Sequence, residues 1–451
     1  MHIAACSPGV KHERPEQKLT RLTPGQVNSR VTCLRDSTLS YALFLPKNYD
    51  PSRRYPLIIA FDSHADGKLP VNLFSAEAEG NGFIIAGSNN SKNGVSWDIT
   101  LFQYEVMRRD ILQRLSIDTA RIYTAGFSGG SRVAASVAIF TGGISGVIGC
   151  SAGFPQIDKP LTTKFSYLGV VGNADFNFSE MKTLDKALDG AGFVHHLLVF
   201  DGIHAWPPAS LIPSLFIWLQ LNAMRQKLIP ADANYIKRIK AKYSKQADNL
   251  HLKNDIVGEY GKCLEASQFL NGVTDVSFFS EKAIRLGNTT EVKKQAKEDD
   301  RLAQKEAQLQ QYYAQAMGTQ AEKWWKAEVK KLDGSASNNL VKTERTMYKR
   351  VLSYLSLAAY MQASGALKAG DQEKAGYFIK IYALVDPTNS EAPYLEANLL
   401  AIQGKDVEAL KSLYKAIDLG FNDLNRIEND PAFTHLKGKP DFENVIGQMK
   451  N

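Results

Sequence analysis

Leu57-Ile58-Ile59-Ala60-Phe61 is apolar at every position, where a strand with one wet face would alternate. Such a run suits a strand covered on both faces, and that calls for a mostly parallel sheet with helices above and below it. The signal recurs along the first half of the chain. Residues 39–45 predict an early strand that stops at Pro46, and 83–86, 121–125, 147–150, 167–171 and 196–200 predict further strands. Helical spacing fills the gaps at 104–115, 132–140 and 179–191, and an amphipathic helix at 211–225 closes the series. From about residue 228 the strand signals vanish and Lys, Glu, Gln and Ala dominate. The expected fold class is therefore α/β, with a mostly parallel central sheet followed by an all-α region.

A chain of 451 residues is too long for one core. The expected divisions are a polar N-terminal tether (1–29), an α/β domain (30–227), a helical region (228–340) and helical repeats (341–451). Residues 290–331 read either as one long helix or as a helical hairpin, with Trp324-Trp325 packed between helices. Gly370-Asp371 and Gly404-Lys405 lie 34 residues apart, and Ala375 and Ala409 keep that register. Asp386-Pro387-Thr388-Asn389 supplies a helix stop and restart between them. Thirty-four residues is the tetratricopeptide period, so this stretch resembles a short array of such repeats, which would offer a surface to a protein partner.

The excess of 54 Lys and Arg over 47 Asp and Glu is mild and spread along the chain. A nucleic-acid partner would need a concentrated basic face, and none is expected. No apolar run approaches the ~20 residues that cross a bilayer. Ile3-Ala4-Ala5-Cys6-Ser7 resembles a bacterial lipobox, although five residues before Cys6 are fewer than the ~7–15 of an apolar leader core. That match predicts a lipid anchor on Cys6 and a periplasmic or membrane-anchored lipoprotein, with a cytoplasmic protein as the alternative. The four cysteines Cys6, Cys33, Cys150 and Cys263 have no metal-ligand spacing, and neither metal nor cofactor is expected. Cys150 ends an apolar run and reads as a buried thiol; a disulfide at Cys33 stays open.

The chemistry centres on Gly126-Phe127-Ser128-Gly129-Gly130. A strand-like segment enters it and a small-residue helix leaves it, the setting of a nucleophile elbow. No Lys follows the glycines, so a phosphate-binding loop does not fit. Ser128 is then the nucleophile, with the Gly129 amide aimed at an oxyanion. A serine hydroxyl needs a base and the base needs a carboxylate, which follow such an elbow in the order acid, then His. Of the histidines after Ser128, His195 and His196 open a strand and read as structural, while His251 and His435 fall in the helical half. His204 follows the last strand and is the candidate base. Asp175, just beyond the preceding strand, is the candidate acid, with Asp201 as rival. The second oxyanion amide is expected at Ser63 or His64, in the loop after 57–61. His64 and Asp66 alone do not make a metal site.

These segments resemble the esterase branch of the α/β-hydrolase superfamily, near feruloyl esterases and polyhydroxyalkanoate-depolymerase-like enzymes. The carriers are Tyr41-Ala42-Leu43-Phe44-Leu45-Pro46, Ile117-Asp118 with Arg121-Ile122-Tyr123, the elbow, and Gly202, His204, Trp206 and Pro207. The likeness covers about residues 30–220. It implies hydrolysis of a small-molecule or saccharide-linked carboxylic ester through an acyl-enzyme, with the helical C-terminal region binding a partner or shaping access. Asn89, Asn90, Trp97 and Trp206 are then candidates to line the substrate pocket, although loop structure explains the first three equally well. A serine peptidase of the same fold and an inactive binding scaffold are the alternatives.

Overall fold

The computed structural model describes residues 22–157, 161, 163–337 and 341–450. The expected lipidation site, Cys6, and most of the expected tether lie outside the described residues. The first part of the chain runs β1 (Val27–Thr32), β2 (Ser40–Phe44), β3 (Tyr55–Phe61), α1 (Lys68–Asn81), β4 (Ile84–Ser88), α2 (Trp97–Arg114) and β5 (Ile117–Phe127). It continues through α3 (Gly129–Thr141), β6 (Gly146–Cys150), β7 (Ser166–Gly172), α4 (Phe178–Gly190), β8 (His195–Phe200) and α5 (Ile212–Arg225). The eight strands make one sheet in the order β1-β2-β4-β3-β5-β6-β7-β8. β2 is antiparallel to both neighbours, while β4, β3, β5, β6 and β7 pair in parallel. This is the mostly parallel central sheet that the sequence predicts.

Every residue of β3 is buried, as its unbroken apolar run requires. Burying each of Leu57, Ile58 and Ile59 contributes about 1.5–3 kcal/mol before chain entropy is subtracted. The small residues of α3 (Ala134, Ala135, Ala138) let that helix lie close on the sheet, where the Thr124 hydroxyl donates to the Ala134 carbonyl at 2.9 Å. Asp110, buried on α2, accepts from the Leu34 amide, the Tyr41 hydroxyl and Arg114 at 2.7–2.8 Å. One carboxylate thus ties α2 to β2 and to the connection before it.

One boundary moves. The expected tether runs to residue 29, yet β1 begins at Val27 and pairs with β2. An edge strand is held by backbone bonds and carries polar side chains such as Asn28 and Ser29, so it gives no apolar signal. Cys33, Cys150 and Cys263 are free, buried thiols. Burial pushes the Cys33 thiol up to about 12, with Asp110 adding to it, and raises the Cys150 thiol as well.

His195, at the start of β8, places its ring 2.9 Å from Asp185 and 3.2 Å from Asp189 on α4. The Asp185 hydrogen bond raises its pKa against the opposing effect of burial. A raised folded value means that the protonated ring stabilises the fold fully below its unfolded pKa, and that this is lost as pH rises through the folded value. His195→Gln is therefore expected to cost about 1 kcal/mol in mild acid. Urea titrations at about pH 6 and about pH 9 should show the gap shrinking at the higher pH, and a constant gap would refute the charged pair.

The rest of the chain is helical: α6 (Ala233–Leu252), α7 (Ile256–Leu270), α8 (Ser277–Gly287), α9 (Thr290–Ala316), α10 (Glu322–Ser337) and α11 (Lys342–Lys368). Then come α12 (Gln372–Val385), α13 (Glu391–Ile402), α14 (Asp406–Asp418), α15 (Leu424–Asn429) and α16 (Pro440–Lys450). The open choice over 290–331 falls to the hairpin, since Gly318 at φ +81° sits in the turn that separates α9 from α10. Trp325 is fully buried and donates to the Tyr377 hydroxyl at 3.0 Å. Gly370 and Gly404 have φ of +73° and +71°, and Gly438, a further 34 residues on, has +80°. No helix among the described residues is long and apolar enough to cross a membrane.

The chain forms two compact units. The first comprises the chain up to Val170, Leu184–His196 and Trp206–Ile236. The second comprises Val171–Thr183, Leu197–Ala205 and the chain from Lys237 onward. The loops that carry Asp175 and His204 therefore belong to the helical unit.

Candidate active site

In the first unit, Ser128 is the single residue between the end of β5 and the start of α3. Its backbone sits at φ +55°, ψ −121°, a region that L-residues rarely adopt. Such strain costs on the order of 1–3 kcal/mol and persists only where the surroundings enforce it. Here they do so by close backbone approach. A Cβ on Gly126 would lie 2.0 Å from the Gly130 carbonyl oxygen, and one on Gly130 would lie 2.1 Å from that of Phe61. The Ser128 amide donates to the Cys150 carbonyl at 2.9 Å, which locks the turn to β6. The Gly129 amide lies in the first turn of α3, where amides have no helical acceptor and the helix dipole favours negative charge.

The loop after β3, expected to supply the second oxyanion amide, is built around a residue that sequence reasoning passed over. Asp62 follows β3 and is only 3% exposed. Burial raises its pKa, but hydrogen bonds from His64 and Trp206 outweigh that and hold it below the usual carboxylate range. The Trp206 indole donates to Oδ2 at 2.9 Å, and the His64 backbone amide donates to Oδ1 at 2.8 Å. That bond commits the His64 amide to Asp62, which narrows the expected pair of second oxyanion donors to Ser63. Ser63 is buried, and its carbonyl accepts from the Asn93 amide at 2.9 Å.

Asn93 is the other residue missed. A Cβ on Gly129 would lie 1.7 Å from its Oδ1, so this side chain rests against the glycine that follows Ser128. It touches both oxyanion candidates, Ser63 and Gly129. Its position in the polar loop after β4 carried no signal beyond that of a loop.

In the second unit, the His204 Nδ1 lies 2.9 and 3.0 Å from the two carboxylate oxygens of Asp175. Asp175 is fully buried in a tight turn, where it also accepts from the Asn177 amide at 2.8 Å. A carboxylate only accepts, so Nδ1 carries the proton and Nε2 is the basic nitrogen. Phe176 stacks on the imidazole at 4.0 Å between ring centroids. The rival acid, Asp201, is exposed and pairs instead with Asn173 and Lys342.

The pocket candidates separate by what they touch. Asn89 donates to the Ser29 carbonyl and the Ser40 hydroxyl, and Asn90 accepts from the Ser40 amide. Both side chains thus hold β2. Trp97 packs on Phe140 at 5.8 Å. Trp206 packs between Phe74 and Phe127 with its N–H on Asp62, so its ring is fixed. Among the described residues no group of three or more His, Cys, Asp or Glu could hold a metal ion.

No family model matches this chain, and no curated protein matches it. Solved structures similar to it include an esterase from Pyrobaculum calidifontis, at 12% identity over 43% of this chain and 86% of that one, TM-score 0.34. Another is an S-formylglutathione hydrolase from Staphylococcus aureus, at 14% identity over 40% and 90%, TM-score 0.34. A third is a feruloyl esterase module from Clostridium thermocellum, at 13% identity over 41% and 84%, TM-score 0.33. Likenesses of this size say nothing about reaction or substrate.

Proposed function

We propose that this chain is a serine hydrolase of carboxylic esters, with Ser128 as nucleophile, His204 as base and Asp175 as the acid that orients it. The observation that carries the reading is the backbone of Ser128, held at φ +55° between strand and helix. A strained serine at the start of a helix has no structural purpose that glycine would not serve better. The Asp175–His204 pair, in the chain order such an elbow requires, supports it.

In this scheme Ser128 Oγ attacks the ester carbonyl as its proton passes to His204 Nε2. The Gly129 and Ser63 amides hold the oxyanion. Collapse breaks the bond to the alcohol, which takes the proton from Nε2. Water then attacks the acyl-serine with the same histidine as base, and the acid leaves. The 34-residue spacing of Gly370, Gly404 and Gly438 supports reading 341–451 as tetratricopeptide-like repeats that receive a protein partner.

A fluorophosphonate probe tests the proposal. Native protein is expected to label at Ser128, mapped by peptide mass spectrometry, and Ser128→Ala is expected to stay unlabelled. Absence of label on folded native protein would overturn it. Turnover of acetyl, butyryl and feruloyl esters against peptide substrates then assigns the acyl group.

A further inference from the structure

The Asp175 turn is a loop, and a base–acid pair works only when held within a few tenths of an ångström. What holds this loop is an ion pair buried in the helical unit. Arg350 on α11 is 6% exposed and Glu306 on α9 is 1% exposed. Arg350 Nε lies 2.9–3.0 Å from both Glu306 oxygens, and Nη2 lies 2.6 Å from one of them. The remaining arm, Nη1, donates to the Asn173 backbone carbonyl at 2.7 Å. The guanidinium also lies over the Phe178 ring at 4.6 Å. Asn173 precedes Asp175 by two residues and Phe178 follows it by three, so one planar group grips the turn on both sides.

Asn173 passes the grip on to the histidine loop. Its amide donates to the Phe200 carbonyl at 2.8 Å, and its side chain donates to Asp201 at 3.0 Å and accepts from the Gly202 amide at 3.3 Å. Lys342, at the start of α11, holds the other oxygen of Asp201 at 3.0 Å. His204 is two residues past Gly202.

Stability alone does not account for this pair. The desolvation of two buried ions commonly exceeds their attraction, and apolar residues of similar volume often serve the fold as well or better. An apolar pair cannot donate to the Asn173 carbonyl. Lysine lacks the rigid fork that serves a carboxylate and a carbonyl together. We propose that Arg350, neutralised by Glu306, is a positioning residue that braces the Asp175 turn, and through Asn173 the His204 loop, so that helices α9 and α11 support the acid–base pair. This rests on the hydrolase reading for its effect on rate, though not for its effect on His204.

The test replaces the pair by apolar residues, Arg350→Met with Glu306→Leu, which removes one charge of each sign and preserves the packing. Two readouts are compared with native protein: ester kinetics, and the His204 Nδ1–H proton resonance observed by NMR of ¹⁵N-histidine protein, assigned by its loss in His204→Asn. The brace predicts kcat lower by on the order of tenfold to a hundredfold with KM nearly unchanged. It also predicts that this resonance broadens or moves upfield, since a displaced Asp175 lengthens the hydrogen bond from Nδ1. Should the double variant not fold, Arg350→Lys keeps the ion pair, loses the carbonyl bond, and is expected to change the His204 Nδ1–H resonance in the same way. A folded variant with an unchanged His204 Nδ1–H resonance and unchanged kcat overturns the proposal. If native protein resists the fluorophosphonate probe while the His204 Nδ1–H resonance still changes in the variant, the hydrolase reading fails and the brace stands.

Discussion

Asparagine in place of Asp175 is expected to slow ester hydrolysis about 10⁴-fold, the loss seen where a serine triad is forced into the wrong tautomer. Asp175 is fully buried and accepts from both the His204 ring and the Asn177 amide. Asparagine has the same shape and can keep the Asn177 bond through Oδ1. Its NH₂ group, however, would face His204 Nδ1 and donate to it. The ring proton then moves to Nε2, the nitrogen that must accept from serine. Steady-state kinetics on an activated ester, with circular dichroism and thermal melting to confirm the fold, measure the effect. A folded variant within tenfold of native rate would remove Asp175 from the mechanism and return Asp201 to consideration.

Gly130→Ala carries the second large effect, on structure and activity together. The added Cβ would sit 2.1 Å from the Phe61 carbonyl oxygen, and both partners are backbone. Neither can swing aside as a long side chain would, so α3 must lift from β3. The expected cost is about 3 kcal/mol or more, read as a lower urea midpoint with the slope unchanged. Ser128 labelling should fall with it, because the same displacement opens the elbow. Gly80→Ala is the control. Gly80 lies on the exposed side of α1 with nothing within 4 Å of an added Cβ, and alanine there should raise stability by up to about 1 kcal/mol. Equal losses at both positions would mean that the close approach at Gly130 is not what constrains the turn.

The parallel core of the sheet was legible because burial on both faces leaves a continuous apolar run, as in 57–61 within β3. The strand–turn–helix around Ser128 was legible because it is local: the strand, the glycines and the small-residue helix adjoin in sequence. The parts that escaped are those whose partners lie far along the chain. Asp62 meets Trp206 across 144 residues, and Arg350 meets Asn173 across 177. In sequence, Asp62 is an acidic residue beginning a loop and Arg350 is one of many charges on a long helix. Only the fold removes each from water and gives it a purpose. β1 escaped for a different reason, since backbone pairing at a sheet edge needs no apolar pattern.

The order in which the ribosome delivers these parts sets a timetable. The acid and histidine loops are complete by residue 205, but the guanidinium that grips the acid loop emerges about 150 residues later. At about 5–20 residues per second, synthesis leaves those loops without Arg350 for roughly 7–30 s. The nascent first half therefore carries the Ser128 turn before it carries a braced His204, and under the proposed function the full hydrolytic rate should arrive only once Arg350 has emerged.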